Sequence, residues 1–152
     1  MADNSPGDQG FEEFVGASHA LFTAMRRNRG RLARSTSGLS LSQLVLLDAL
    51  ATHGPLLVGQ IATHAGVSGP TATRMLKQLE RQGVVTRERS TDDERKVLVA
   101  LTEHGQNLVQ QQRNALRERQ RLHYDELSAE QREVFVDVLR RMARMVEQWG
   151  SD

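Results

Sequence analysis

Cysteine is absent from the 152 residues, which removes disulfides, thiolate metal sites, cysteine nucleophiles and thiol redox sensing together. No apolar run approaches the ~20 residues needed to span a bilayer. The polar, acidic opening 1–10 does not look like a signal peptide, so the expectation is a soluble cytoplasmic protein with no membrane partner. An excess of either charge is missing too: 20 basic residues face 19 acidic ones, a net charge of +1. Lysine is nearly missing, since only Lys77 and Lys96 among the basic residues are not arginine. Arginine's planar fork suits phosphates and guanine edges. A GC-rich coding bias would give the same enrichment, so position matters more than the total. Internal repeats and low-complexity tracts are also lacking.

What remains describes a helical protein. Hydrophobic residues make up 38% and charged residues 26%, a globular balance, and a chain this long can bury roughly two-thirds of its unfolded surface. Residues 1–10 read as a flexible tail. From 11 to 34, Phe11, Phe14, Val15, Ser18, Leu21, Phe22 and Met25 recur at helical spacing. The helix then runs into Arg26, Arg27, Arg29, Arg31 and Arg34, with Gly30 a possible break and Ser35-Thr36-Ser37-Gly38 a loop by composition. Ser40 with Gln43 forms a capping box for a helix reaching His53, ended by Gly54-Pro55. A short helix over 58–64 stops at Gly66. Ser68 caps the next, which carries Pro70 harmlessly in its first turn and ends at Gly83.

The period then switches to two. Residues 84–89 and 96–101 alternate and are β-rich, with a charged tip between them, so they predict a hairpin. Two long helices close the chain. One starts at Thr102, with Leu108, Ala115, Leu116 and Leu122 inward. The other starts at Ser128 and carries Phe135, Val138, Leu139, Met142, Met145, Val146 and Trp149 on one stripe. The fold class is mainly α with a small β-hairpin wing: a winged helix-turn-helix with further helices before and after it.

The segment from Gln60 to Leu76 satisfies what a helix-turn-helix needs. Ala62 is small where two helices cross, Gly66 tolerates the positive φ of the turn, and Ile61, Val67, Ala72, Met75 and Leu76 anchor both helices to the core. The free face of the second helix offers Ser68, Gly69, Thr71, Thr73, Arg74 and Lys77, small or hydrogen-bonding groups suited to a major groove. A helical hairpin that happens to use Gly and Ala is the bland alternative. On the hairpin, Arg87 and Arg89 lie on the outgoing strand and Arg95 and Lys96 near the tip. A basic tip can reach a minor groove. Asp93 would repel phosphate unless it orients Arg95 by a salt bridge; a solvated, charge-mixed turn is the other reading.

At this point the segment 39–105 resembles the winged helix-turn-helix of the MarR family of bacterial transcription regulators. The wing carries Asp93-Glu94-Arg95, then Leu101-Thr102-Glu103-His104-Gly105, which is similar to that family's Asp-x-Arg followed by Leu-Thr-x-x-Gly. The segments 67–74 and 79–85 resemble it equally, while the flanking helices match in order and length but not in specific residues. The resemblance implies a homodimer: an N-terminal dimerisation helix and loop (11–38), a DNA-binding domain (39–102) and C-terminal dimerisation helices (103–152). It implies a pseudo-palindromic operator in double-stranded DNA, repression relieved by a small aromatic or anionic ligand, and no enzymatic activity. Ser68, Thr71, Thr73 and Arg74 would enter the major groove and Arg95 the minor groove, with Asp93 orienting it. Lys77, Arg87 and Arg89 would hold phosphates. The peroxide switch of some relatives needs a cysteine and is excluded. The alternative function is a winged-helix module for protein–protein assembly without an operator.

Weaker signals remain. His19, His53, His64, His104 and His123 contain no i, i+4 pair, so no metal or cofactor is expected from sequence. His123-Tyr124-Asp125 has no nucleophile or phosphate loop beside it to make an active site. Phe22, Met25 and Arg26 are conceivable walls of a ligand cleft, or simply core and solvated face. The arginines of 26–34 are either phosphate contacts or a solvated helix end.

Overall fold

A computed structural model describes residues 6–89 and 96–149. Its elements in chain order are α1 (Pro6–Ser37), α2 (Leu41–His53), β1 (Leu56–Leu57), α3 (Val58–Ala65), α4 (Gly69–Arg81), β2 (Val85–Arg89), β3 (Val97–Leu101), α5 (Glu103–Glu126) and α6 (Ala129–Trp149). The chain forms two units, the first ending at Arg113 within α5 and the second starting at Asn114.

In the first unit, α2, α3 and α4 close over a small antiparallel sheet of order β1-β3-β2. The β2–β3 register runs from Val85 opposite Leu101 to Arg89 opposite Val97. Leu46 and Leu47 of α2, Ile61 of α3, Ala72, Leu76 and Leu79 of α4 and Val99 of β3 are fully buried in one core. The expected capping box is present: Ser40 N–H donates to Gln43 Oε1 at 2.9 Å, and Gln43 N–H donates to Ser40 Oγ at 3.2 Å. Such reciprocal bonds satisfy two amides that a helix start leaves orphaned.

Thr102 joins the sheet to α5. Its hydroxyl lies 2.6 Å from the Gly83 carbonyl and 3.1 Å from that of Val84, and accepts from Gly105 N–H at 3.0 Å. Gly105 is buried there, and a Cβ on it would run into the Val84 carbonyl. The Leu-Thr-x-x-Gly motif is therefore a packing device that locks the start of α5 onto the entry to β2. Further along α5, the buried Gln112 donates from Nε2 to the Ala33 carbonyl at 3.1 Å and to Ser37 Oγ at 3.0 Å, tying α5 to α1.

Four expectations change. Pro6–Gly10, placed in the tail, belongs to α1, and residues 1–5 lie outside the described residues. Gly30 does not break α1, which also runs on through Ser35 and Ser37. Both hydroxyls bond back to carbonyls of the preceding turn, Ser35 to Leu32 and Ser37 to Ala33, while Leu32 and Ala33 are buried. Tertiary packing here overrides a loop-like composition. The third change is β1, too short to show alternation, which exists through its pairing of Leu56 with Val99 and Leu57 with Leu98. Fourth, Leu122 points outward, 68% exposed.

In the second unit, Arg132 of α6 closes the end of α5. Its Nε donates to the Tyr124 carbonyl at 3.0 Å and its Nη2 to that of Asp125 at 3.3 Å, with the guanidinium 4.5 Å from the centroid of the Tyr124 ring. Ser128, expected to start α6, caps it reciprocally with Gln131. The apolar stripe of α6 is left uncovered: Val134, Phe135, Val138, Leu139 and Val146 are all exposed.

Candidate nucleic-acid interface

The interface is built around Gly66. Its φ of 63° and ψ of 35° are left-handed, a conformation that costs a residue with a Cβ about 1–2 kcal/mol. The turn lets Val67 N–H bond the Ala62 carbonyl at 3.0 Å, and buried Ala62 leaves room for the close crossing of α3 and α4. Ser68 then starts α4, accepting weakly from Thr71 N–H at 3.4 Å and donating to Thr71 Oγ1 at 2.8 Å. Ser68 is thus the cap of α4 as well as a residue of its leading turn.

Helical periodicity divides α4 cleanly. Ala72, Leu76 and Leu79 face the core, while Ser68, Gly69, Arg74 and Lys77 are exposed and Thr71 and Thr73 are half-buried at the flanks. Sequence reasoning missed Arg81, exposed in the last turn, which continues the line of Arg74 and Lys77 at i+7 and i+4. The leading turns of α4 expose backbone amides, hydroxyls and cations with no carboxylate until Glu80. That chemistry fits the acceptor-rich edges and phosphates of a duplex.

On the wing, the arginines separate. Arg89 ends β2 and is exposed. Arg87 turns inward: its side chain is 15% exposed and Nη1 lies 3.4 Å from Glu80 Oε2 of α4, itself 42% exposed. Its Nε is buried and has no hydrogen-bond partner among the described residues. Arg87, expected as a phosphate contact, is engaged with Glu80 here and braces the wing against α4. The signal was available, because Arg87 is two residues from buried Val85 and shares its face of the strand. Lys96 is exposed just before β3. Asp93 and Arg95 lie outside the described residues, as does the rest of 90–95.

Two histidines that are distant in sequence meet: His53, in the last turn of α2, and His64, in the last turn of α3, stack with ring centroids 4.4 Å apart. Among the described residues no group of three or more His, Asp or Glu could hold a metal ion, and no helix is long and apolar enough to cross a membrane. Phe22, Met25 and Arg26 are all exposed on α1.

Comparison with known proteins agrees with this geometry. Residues 39–97 match the profile of the MarR family. The chain is similar to the HTH-type transcriptional regulator YdgJ of Bacillus subtilis, 34% identical over 109 residues, covering 70% of this chain and 65% of that protein. It is similar also to the regulator Mb0904 of Mycobacterium bovis, 37% identical over 103 residues, covering 67% of this chain and 72% of that one. Among solved structures, Streptococcus pneumoniae FabT in complex with DNA shares the fold at a TM-score of 0.81 and 20% identity, covering 91% of this chain and 99% of that one.

Proposed function

The chain belongs to the MarR family of transcription regulators, carrying that family's winged helix and no enzymatic role, and from this premise we propose a homodimeric repressor that binds a pseudo-palindromic operator and leaves it when a small molecule binds. The observation that carries the reading is α4: a helix fixed by the Gly66 turn whose exposed side presents Ser68, Arg74 and Lys77, with Arg89 exposed at the end of β2. Ser68, Gly69, Thr71, Thr73 and Arg74 read the major groove; Lys77, Arg89 and Lys96 position the protein on phosphates. Arg95 enters the minor groove with Asp93 orienting it, a role resting on the Asp-x-Arg motif alone.

The uncovered apolar faces support a dimer. Phe11, Phe14, Leu21, Phe22 and Met25 on α1, and Phe135, Val138 and Leu139 on α6, are all exposed, and large exposed apolar faces mark interaction surfaces. Two-fold symmetry would set two copies of α4 one helical turn of DNA apart. For the ligand, the first unit offers a cavity of about 340 Å³ between α2, β3 and α5, with Leu50, Pro55, Leu101 and Val109 as apolar wall and Gln106 and Arg113 as polar groups. Arg113 pairs with Asp48 at 3.2 Å, so an anion entering the cavity would compete for that guanidinium.

The test is fluorescence anisotropy against DNA upstream of the protein's own gene and a scrambled duplex, across a salt series. Operator recognition gives a preference of at least about a thousandfold with a steep salt slope. Equal, weak binding to own-upstream, scrambled and genome-selected DNA would favour a protein-assembly module instead. Arg95→Ala should cost about 1–3 kcal/mol of operator binding with the fold intact; unchanged affinity removes the wing assignment.

A further inference from the structure

We propose that Arg27, Arg31 and Arg34 form a second DNA-binding surface, a stripe on α1 that holds backbone phosphates beyond the reach of α4 and the wing. The inference rests on the DNA-binding reading above but uses other residues. Between Glu13 and Asp48 the sequence has no carboxylate at all, and within that stretch Arg26, Arg27, Arg29, Arg31 and Arg34 are all exposed. None of the five has an ion-pair partner among the described residues, whereas Arg87, Arg113, Arg121 and Arg141 each face a carboxylate. Like charges gathered on one helix repel, and only Arg34 sits in the last turn, where the helix dipole offsets its charge. An unbalanced cluster of this kind is complementary to a polyanion.

Helix geometry selects three of the five. The apolar face of α1 runs through Phe11, Phe14, Phe22, Met25 and Leu32, and at its far end Leu32 and Ala33 are buried where Gln112 bonds the backbone. Arg27 lies two residues past Met25 and Arg34 two past Leu32, each about 200° around the helix, and Arg31 joins them at i+4 from Arg27. Arg26 and Arg29 instead fall toward the apolar face. The stripe therefore stays in solvent whatever covers that face, a second copy of the chain included. Arg27 to Arg34 spans about 10 Å of helix axis, the length over which one strand of a duplex advances about three phosphates. Phosphate is the occupant that fits three guanidinium groups about a helical turn apart on one helix face with no carboxylate beside them.

The experiment is a salt series on own-upstream and scrambled duplexes with the full chain. Three proteins are compared: wild type; Arg27→Gln/Arg31→Gln/Arg34→Gln; and a charge-matched control, Arg117→Gln/Arg119→Gln/Arg144→Gln. The slope of log K against log salt should fall by about 0.9 for each phosphate that is no longer neutralised, so the stripe variant drops by at least about two while the control keeps the wild-type slope. Replacing the three arginines by lysine should restore it. If the triple variant melts early, Arg31→Gln alone should still lower the slope by about 0.9. A stripe variant with the wild-type slope, or a control whose slope falls as far, overturns the proposal. If wild type shows no preference for its own upstream DNA or for genome-selected fragments, the operator reading fails separately. The slope on scrambled DNA still decides the stripe, because phosphate binding carries no sequence information.

Discussion

Gly105 is held to its identity by a neighbour rather than by its own backbone. The amide of Gly105 donates to Thr102 Oγ1 while the Thr102 hydroxyl reaches the Gly83 and Val84 carbonyls, so α5 begins in contact with the entry to β2. A methyl group on Gly105 would collide with the Val84 carbonyl, and backbone on both sides is hydrogen-bonded and cannot give way. Gly105→Ala should destabilise by about 1–3 kcal/mol, the usual cost of overpacking a closed site, read as a lowered midpoint of thermal unfolding. Gly66→Ala should cost about 1–2 kcal/mol for a different reason, its left-handed φ, with nothing in the way of the added methyl. Because Gly66 sets the crossing of α3 and α4, that variant should also weaken DNA binding, while Gly105→Ala should leave affinity intact below its melting point.

Between elements, the brace from β2 to α4 makes a distinction that charge counting misses. Arg87 and Arg89 are both arginines on one strand, yet Arg87 packs inward against Glu80 and Arg89 is exposed. Arg89→Ala should lower the salt slope of DNA binding by about 0.9 without changing the melting point. Arg87→Ala should do the reverse, destabilising by about 1 kcal/mol as its stem packing and its pairing are removed, with little change in slope. Anisotropy and thermal melts on the two variants separate these outcomes, and equal slopes for both would remove the distinction. The same contrast shows where the sequence was legible. The turn at Gly66, the caps at Ser40, Ser68 and Ser128 and the Pro70 position are local steric and hydrogen-bonding signals, readable from neighbours in the chain. The inward turn of Arg87 follows from its parity with buried Val85, which its charge alone does not announce. The strand β1 and the extension of α1 through Ser37 depend on partners about forty and eighty residues away, Val99 and Gln112, which no local pattern announces.

At the scale of the whole molecule, the apolar faces of α1 and α6 call for a cover. A helix stabilises mainly by burying its apolar face, yet in α6 that face carries Phe135 at 49% exposed, with Val138 and Leu139 beside it. Burying a side chain of this size contributes about 1.5–3 kcal/mol, so covering several of them on two helices by a second copy would offset the entropy of pairing two chains. The dimer would then set operator affinity, because one copy of α4 can address only half of a palindrome and the second half-site is bound intramolecularly. Phe135→Glu/Leu139→Glu places two carboxylates on that face without touching the first unit's core. Sedimentation equilibrium should show the wild type as a dimer and the variant as a monomer, with helical content retained by circular dichroism. Operator affinity should fall by about a hundredfold or more, the scale of avidity that pairing supplies, while binding to a single half-site changes little. A variant that stays dimeric would move the interface off α6, and a monomer that keeps full operator affinity would mean that two-fold symmetry plays no part in recognition.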